Sequence, residues 1–333
     1  MIVVSLVSAC AGIWLVVDIH RFARRPAGSS DHQTLFIVHS GESFHELAAR
    51  LQSRGVITST TRFKLYSRIT GNDKRLKAGE YNLSAAMTPA QILDTIVQGK
   101  SVLYRLTIPE GYTMAQIAEE VERQGLGTSK AFLQLAMNPT VAKSFNIEAR
   151  TLEGYLFPDT YYFPKGVPPD TIIAKMVSHF NAQFKPEWKH RAQTLNFSVH
   201  QIVTLASIIE KETGTPSERP MIASVFHNRL RKKMRLESDP TVIYGIQDFD
   251  GNIKRRHLQE RTPYNTYKIR GLPPGPIANP GSAAIEAALY PDKTDYLYFV
   301  AKQDGTHHFS TNIADHNRAV RKYQLRRRRK PSS

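Results

Sequence analysis

Phe36-Ile37-Val38-His39-Ser40-Gly41-Glu42-Ser43, with Leu47, Ala48, Leu51 and Gly55 behind it, is answered about seventy residues later. The second copy is Leu106-Thr107-Ile108-Pro109-Glu110-Gly111-Tyr112-Thr113, with Ile117, Ala118, Val121 and Gly125. Each copy reads as a short strand, a glycine turn, a Ser43 or Thr113 N-cap, and an amphipathic helix closed by glycine. Ser43 with Glu46, and Thr113 with Gln116, have capping-box spacing. Lys77-Ala78-Gly79-Glu80-Tyr81 and Leu152-Glu153-Gly154-Tyr155 extend the echo, so the duplication is expected to cover both halves of each unit.

This strand, turn and helix resembles a LysM module, a fold that grips N-acetylglucosamine-containing glycans. Strand, glycine, cap and helix is also a common packing unit, so the repeat alone leaves glycan binding and plain scaffolding both open. At 333 residues the chain is long enough for two or three domains. Hydrophobic residues at 41% and charged residues at 22% exclude a disordered or fibrous chain. One cysteine excludes an intramolecular disulfide framework and a cysteine-rich metal cage. The net charge of +16 predicts an anionic partner: nucleic acid, a membrane surface or an acidic polymer.

Residues 2–17 carry no charge and are almost wholly apolar, and Asp18, His20, Arg21, Arg24 and Arg25 close the run. At about 1.5 Å per residue the run is short for a hydrocarbon core of ~30 Å. It reads as a signal anchor, with a cleaved signal peptide and a buried core helix as competing readings. The basic cluster follows the apolar run, and the positive-inside rule alone would keep the rest of the chain in the cytoplasm. Charged residues upstream of Met1 would remove that conflict. Val7-Ser8-Ala9-Cys10 also resembles a bacterial lipobox, but it lacks a basic lead, and a lone membrane cysteine is the simpler reading. A polar linker with Gly28, Ser29, Ser30 and Asp31 follows.

The chemistry is expected in the C-terminal third. Ser198-Val199-His200-Gln201-Ile202-Val203-Thr204-Leu205-Ala206-Ser207-Ile208-Ile209-Glu210-Lys211-Glu212-Thr213-Gly214 reads as a helix with a capping box at Ser198 and Gln201 and a C-cap at Gly214. At about 100° per residue Glu210 falls on the apolar side between Ala206 and Val203, and Glu212 on the opposite flank near Ile208 and Leu205. A carboxyl among aliphatic side chains has its charged form disfavoured, which a general acid at neutral pH needs. The plain alternative is a helix-end glutamate that reaches solvent or pairs with Lys211 or a later arginine. A second helix follows, with Pro220 in its first turn and Asn228 and Arg229 near its end.

Residues 234–245 read as too polar and turn-rich for core. The prolines and glycines of 271–281 suggest either a rigid groove wall or a structural loop that buries its prolines. Residues 296–301 and 307–310 read as a hairpin about Asp304-Gly305, with a last helix from about Ile313. The arginine-rich tail reads as a solvated patch. Ser207 and Lys211 stand one turn apart as capped helices often have such pairs, and no Ser-Lys nucleophile is expected. His307, His308 and His316 match no metal-cage spacing.

Ala206-Ser207-Ile208-Ile209-Glu210-Lys211-Glu212-Thr213 and Ile222-Ala223-Ser224-Val225-Phe226-His227-Asn228-Arg229-Leu230 resemble the MltG (YceG-like) endolytic murein transglycosylases. So do Met234-Arg235-Leu236, Ser238-Asp239-Pro240-Thr241-Val242-Ile243-Tyr244-Gly245, Tyr264-Asn265-Thr266-Tyr267 and Gly271-Leu272-Pro273-Pro274-Gly275. Leu152-Glu153-Gly154-Tyr155-Leu156-Phe157-Pro158-Asp159-Thr160-Tyr161, and Asp304-Gly305 with His308-Phe309-Ser310, belong to the same pattern. The resemblance runs over nearly the whole chain after the linker. It implies an α+β protein made of an N-terminal membrane-anchor helix (1–20), a linker (21–33), a LysM-like α/β module (34–100), a second repeat-like part (101–197), a catalytic core (198–325) and a basic tail (326–333). It implies a single-pass protein of the bacterial inner membrane, its catalytic part periplasmic, that ends glycan elongation by cutting nascent peptidoglycan strands. Peptidoglycan synthases or penicillin-binding proteins are the expected partners.

The family's catalytic glutamate, the first of its helix motif, maps to Glu210; Glu212 matches the second and receives no role. Glu153, Asn228, Ser238, Asp239, Tyr264, Asn265 and Thr266 are nominated for substrate binding, and no cofactor or metal is expected. A lytic transglycosylase breaks the β-1,4 bond between N-acetylmuramic acid and N-acetylglucosamine without water. One carboxyl protonates the leaving oxygen and then takes the proton of the sugar's own 6-hydroxyl, closing a 1,6-anhydro ring. A water-using muramidase would need a second carboxylate, for which Glu237 and Asp239 are candidates. A non-catalytic peptidoglycan-binding scaffold is the other alternative. A nucleic-acid binder is disfavoured, because no recognised motif appears and the positive charge is not interleaved with exposed aromatics.

Overall fold

The structure is a computed structural model describing residues 2–246 and 249–325, with side chains from Cys10 onward in the first helix. The tail expected at 326–333 lies outside the described residues. The chain forms two compact units, Met1–Arg105 with Tyr162–Val167, and Leu106–Tyr161 with Pro168–Ser333. The fold is α+β: helices with three two-stranded sheets among the described residues.

The first unit runs α1 (Ile2–Ala23), β1 (Thr34–Val38), α2 (Phe44–Ser53), α3 (Thr60–Ile69), β2 (Gly79–Leu83) and α4 (Pro89–Gln98). Strands β1 and β2 pair antiparallel with Phe36 opposite Tyr81. The period of two sends Phe36 and Val38 inward and leaves Leu35 and Ile37 exposed. Phe36, Leu47, Leu51, Phe63, Tyr81 and Ile92 centre a core that belongs to this unit alone. The last turns of α1 join it. Ile19, Phe22 and Ala23 are buried, α1 packs on α3 and α4, and Asp18 pairs with Arg62 at 3.0 Å. The helix therefore continues into the expected linker, because Phe22 and Ala23 find an apolar surface there. Before them Ile13, Trp14, Leu15, Val16 and Val17 stay exposed. Among the described residues no helix is long and apolar enough to cross a membrane.

Strands β3 (Tyr104–Thr107) and β4 (Thr160–Phe163) pair. The second unit continues with α5 (Met114–Arg123), α6 (Ser129–Ala136), α7 (Pro139–Ser144), α8 (Pro169–Gln183), α9 (Pro186–Thr194), α10 (Val199–Glu212), α11 (Arg219–Arg231), α12 (Asp239–Tyr244), α13 (Arg255–Gln259) and α14 (Ser282–Leu289). Strands β5 (Tyr298–Ala301) and β6 (His307–Ser310) form the expected hairpin before α15 (Ile313–Val320).

The two sequence copies share their local geometry down to the hydrogen bond. Both α2 and α5 carry a complete capping box. Both end in the same glycine closure, Val56 N–H to Leu51 O at 2.9 Å and Leu126 N–H to Val121 O at 3.0 Å, with Gly55 and Gly125 at positive φ. The outer part of the echo does not superpose: Gly79-Glu80-Tyr81 lie in β2, whereas Glu153-Gly154-Tyr155 form a turn ahead of β4.

Helix α10 is the spine of the second unit. Ile202, Val203, Leu205, Ala206, Ile208 and Ile209 are all buried, and it packs chiefly on α14, whose alanines allow close approach. Two local expectations fail. Gly214 is not the C-cap, because the helix stops at Glu212 and Thr213 leaves in an extended conformation. Residues 234–245 are not all surface: Arg235, Glu237 and Asp239 are exposed, but Leu236, Ser238, Thr241 and Val242 are buried, the hydroxyls paired to one another and to neighbouring backbone.

Candidate active site

The Ser198 capping box starts α10, with Gln201 N–H donating to Ser198 Oγ at 3.1 Å and Ser198 N–H to Gln201 Oε1 at 2.8 Å. Ten residues on, about 15 Å along the axis from His200, Glu210 stands with its side chain 6% exposed. Its Oε1 accepts from Arg219 Nη2 at 2.8 Å, and its Oε2 accepts from Gly281 N–H at 3.1 Å. Arg219, at the first position of α11, is also nearly buried, and Glu110 Oε2 lies 3.5 Å from the same Nη2. Thus the apolar flank expected around Glu210 exists along α10, but the carboxyl itself sits in a polar knot of a guanidinium, a backbone amide and a second carboxyl. Burial and the charge of Glu210 push Glu110 above the usual carboxylate range, against the pull of Arg219.

Glu212 turns to the other side. Ser238 Oγ donates to it, and burial pushes its carboxyl up to about 7. Ser238 N–H donates to Thr266 Oγ1 at 2.9 Å, and Tyr267 O–H donates to Asp239 Oδ1 at 2.8 Å. Ser238, Asp239 and Thr266 therefore gather around Glu212. Glu237 pairs with Arg229 at 3.2 Å.

Glu153 lies deeper. Its Oε1 accepts from Met114 N–H and Asn279 Nδ2, each at 2.9 Å, and Tyr244 O–H donates to its Oε2 at 3.0 Å. Burial pushes this carboxyl up to about 7 as well. Asn279 completes a knot: Gly111 N–H donates to its carbonyl, its own N–H and Nδ2 reach Tyr112 O, and Leu156 N–H donates to its Oδ1. Asn228 and Asn265 are engaged by backbone. Asn228 Nδ2 donates to the Thr294 and Tyr296 carbonyls, and Asn265 Nδ2 to those of His257 and Glu260. Ser207 Oγ accepts from Ile277 N–H while Lys211 Nζ reaches Gly111 O, so the two make no Ser-Lys pair.

A cleft of about 1000 Å³ opens at the other end of α10, lined by Lys143, Arg150, His200, Tyr264, Pro274 and Pro276 among others. Of the Pro/Gly segment 271–281, Pro274, Gly275 and Pro276 wall this groove, while Pro273, Pro276 and Pro280 are buried, so each of the two readings of the segment holds in part. His200 fixes it: Nε2 donates to Pro274 O at 3.0 Å, since a carbonyl can only accept, and Tyr155 O–H is 2.9 Å from Nδ1. Tyr264 packs on Tyr244 with ring centroids 4.8 Å apart.

Three comparisons bear on this arrangement. A sequence model of the YceG-like family matches residues 36–322. The chain belongs to the YceG-like family. Among YceG-like relatives, an endolytic murein transglycosylase of Bacillus subtilis is 36% identical over 305 residues, covering 86% of this chain and 83% of that protein. One from Streptococcus pneumoniae is 33% identical over 315 residues, covering 85% of this chain but only 57% of the longer streptococcal protein. A crystal structure of a YceG-like protein from Listeria monocytogenes, 37% identical, aligns with a TM-score of 0.60 over 87% of this chain and 99% of that one.

Sequence reading singled out Glu210 and allowed it a later arginine as partner, which is Arg219, but it gave Glu110 and Gly281 no part in the site. One trace of Glu110 was visible: it stands where the first repeat copy has Ser40. Nothing local marks Arg219, which is one basic residue among 45.

Proposed function

We propose that this YceG-like chain is an endolytic murein transglycosylase in which Glu210 carries the proton. It cuts the β-1,4 bond between N-acetylmuramic acid and N-acetylglucosamine within peptidoglycan strands. The observation that carries the reading is the Glu210 carboxyl, nearly closed off from water at the end of α10 and held on both oxygens by Arg219 and Gly281. In protonated form it donates to the leaving oxygen. The resulting carboxylate takes the proton of the 6-hydroxyl as that oxygen closes on C1, leaving a 1,6-anhydro end.

The cleft beside Tyr264, about 15 Å from Glu210 along α10, suits further sugars of the same strand, with the ring and the prolines as stacking surface. The strand–helix–helix–strand order of residues 34–83 supports a LysM-like grip on that strand. The exposed apolar row 13–17 supports a single-pass anchor that holds the rest of the chain in the periplasm, beside the synthases that extend strands.

Mass spectrometry of muropeptides tests the chemistry. Products one water lighter than hydrolytic ends are expected from the intact protein, and Glu210→Gln should lower their rate by about 10³-fold or more with an unchanged melting temperature. Hydrated ends would make the protein a muramidase, and full activity in the Gln variant would remove Glu210 from the chemistry. A reporter fused after Ser333 that works only in the cytoplasm would overturn the topology.

A further inference from the structure

We infer that Glu110 is a second catalytic carboxyl, paired with Glu210 across Arg219 and, once Glu210 holds the proton and no longer repels it, ionised opposite the positive charge that develops on the sugar. This rests on the transglycosylase reading above. Arg219 Nη2 lies 2.8 Å from Glu210 Oε1 and 3.5 Å from Glu110 Oε2. Two oxygens so near one nitrogen are closer together than the roughly 6.5–9.5 Å between the carboxyls of an inverting hydrolase, which must leave room for a water. The spacing leaves no room for a water between them and suits a second carboxylate that acts on the sugar itself. The two side chains also divide the exposure: Glu110 is 47% exposed and Glu210 6%. Glu110 is the member open to an incoming strand.

The repeat explains how the residue comes to be there. Gly41 and Gly111 turn the chain alike, at φ 79° and 75°. In the first copy Ser40 precedes the glycine, and the neighbouring Glu42 is taken up locally by Arg50 at 2.6 Å and His39 N–H at 2.9 Å. In the second copy the residue before the glycine is Glu110. Its turn is fastened to the loop after Pro276 and to the end of α10, by Gly111 N–H to Asn279 O at 2.9 Å and Lys211 Nζ to Gly111 O at 3.3 Å. A Cβ on Gly281 would collide with the Glu110 carboxyl. One copy of a duplicated turn has thus become part of a catalytic centre.

Charge arithmetic gives the pair its use. Two carboxylates face one guanidinium, whose Nε finds no acceptor among the described residues. Lys211 is turned to the Gly111 carbonyl, and Glu218, just before Arg219, pairs with His307 at 2.7 Å. Like charges this close favour a single shared proton. Glu210 gives that proton to the glycosidic oxygen, and the C1–O bond breaks with its electron pair going to that oxygen. The cation at C1 and the ring oxygen then faces the Glu110 carboxylate. The 6-hydroxyl oxygen bonds to C1 and its proton returns to Glu210, so nothing is consumed.

Glu110→Gln tests the inference. The expected result is a rate of anhydro-product formation lower by about 10²-fold or more, with melting temperature and strand binding retained. The alkaline limb of the remaining pH–rate profile should move to lower pH, because the pair binds its proton less tightly once one negative charge is gone. Glu110→Asp, which keeps the charge, should recover at least tenfold of the loss. A Gln variant with the intact rate overturns the inference. So does a slowed one whose pH profile is unmoved and which Asp does not restore, since that residue would be only structural. Should the Gln variant melt early, the stable Asp variant decides: a rate no better than that of Gln overturns the pairing. Glu210→Gln separates this from the parent reading. If it is inactive while Glu110→Gln is unaffected, only the pairing is wrong; if neither loses activity, the chemistry does not lie at the end of α10.

Discussion

Glu153 is a carboxyl closed off from water, with both oxygens met by the protein. Burial moves it from an ordinary 4.5 to about 7. Between those values the folded chain holds a proton that the unfolded chain has lost. Its contribution to stability is therefore complete below pH ~4.5 and falls away as the pH rises to about 7, a change on the order of 3 kcal/mol. Glu212, also raised to about 7, acts in the same direction. Glu153→Gln reproduces the protonated form: the amide oxygen keeps the bonds from Met114 and Asn279, and the amide nitrogen faces the Tyr244 hydroxyl. Melting temperature measured from pH 4.5 to 7.5 should fall less steeply in the Gln variant. Equal slopes would mean that Glu153 is not among the groups that set the dependence. We read Glu153, nominated for substrate binding, as a residue that holds Asn279, which sits two residues before Gly281.

At the scale of elements, α10 carries its stabilising cap at one end and the proposed acid at the other. The capping box is at its first turn and Glu210 at its last. Ser198→Ala leaves backbone donors of the first turn unmet and should cost about 1 kcal/mol, a drop in melting temperature of roughly 2–4 °C. The cleavage rate of the folded enzyme should be unchanged, and a slowed variant would show that the cap also positions the site. Both repeat helices, α10 and the β5–β6 hairpin were legible because their signals are local: caps, glycine closures and apolar periods. The packing of α14 on α10 was not. Ser282-Ala283-Ala284-Ile285-Glu286-Ala287-Ala288-Leu289 has no polar cap at Gly281 to announce it, and its use as a partner depends on residues seventy positions away. The stretch 234–245 was misjudged for a related reason: hydroxyls that look like surface in sequence are buried once Ser238, Thr241 and Thr266 bond one another.

Across the whole molecule, the two units carry separate cores, and every residue assigned to chemistry lies in the second. The segment 35–99 therefore serves, in this reading, to hold a long flexible strand, raising its effective concentration at the cutting site. Deleting it should lower the rate on long strands several-fold more than on short oligosaccharides. The measurement is the ratio of the two rates for intact and deleted proteins of equal stability. An unchanged ratio would reduce the segment to a spacer.

The sequence by itself determined the α+β class, the duplicated strand–turn–helix, the family and Glu210 as the proposed acid. Each is written in residues close together along the chain, or in motifs long enough to be read without folding. Only the tertiary structure decided what surrounds that acid. Glu110, Arg219 and Gly281 come from three separate segments, and the energy that joins a carboxylate to a guanidinium and a backbone amide depends on distance in space, not on position in the chain. The same holds for Asn228 and Asn265, whose amides could have faced substrate but are used up on carbonyls brought to them by folding.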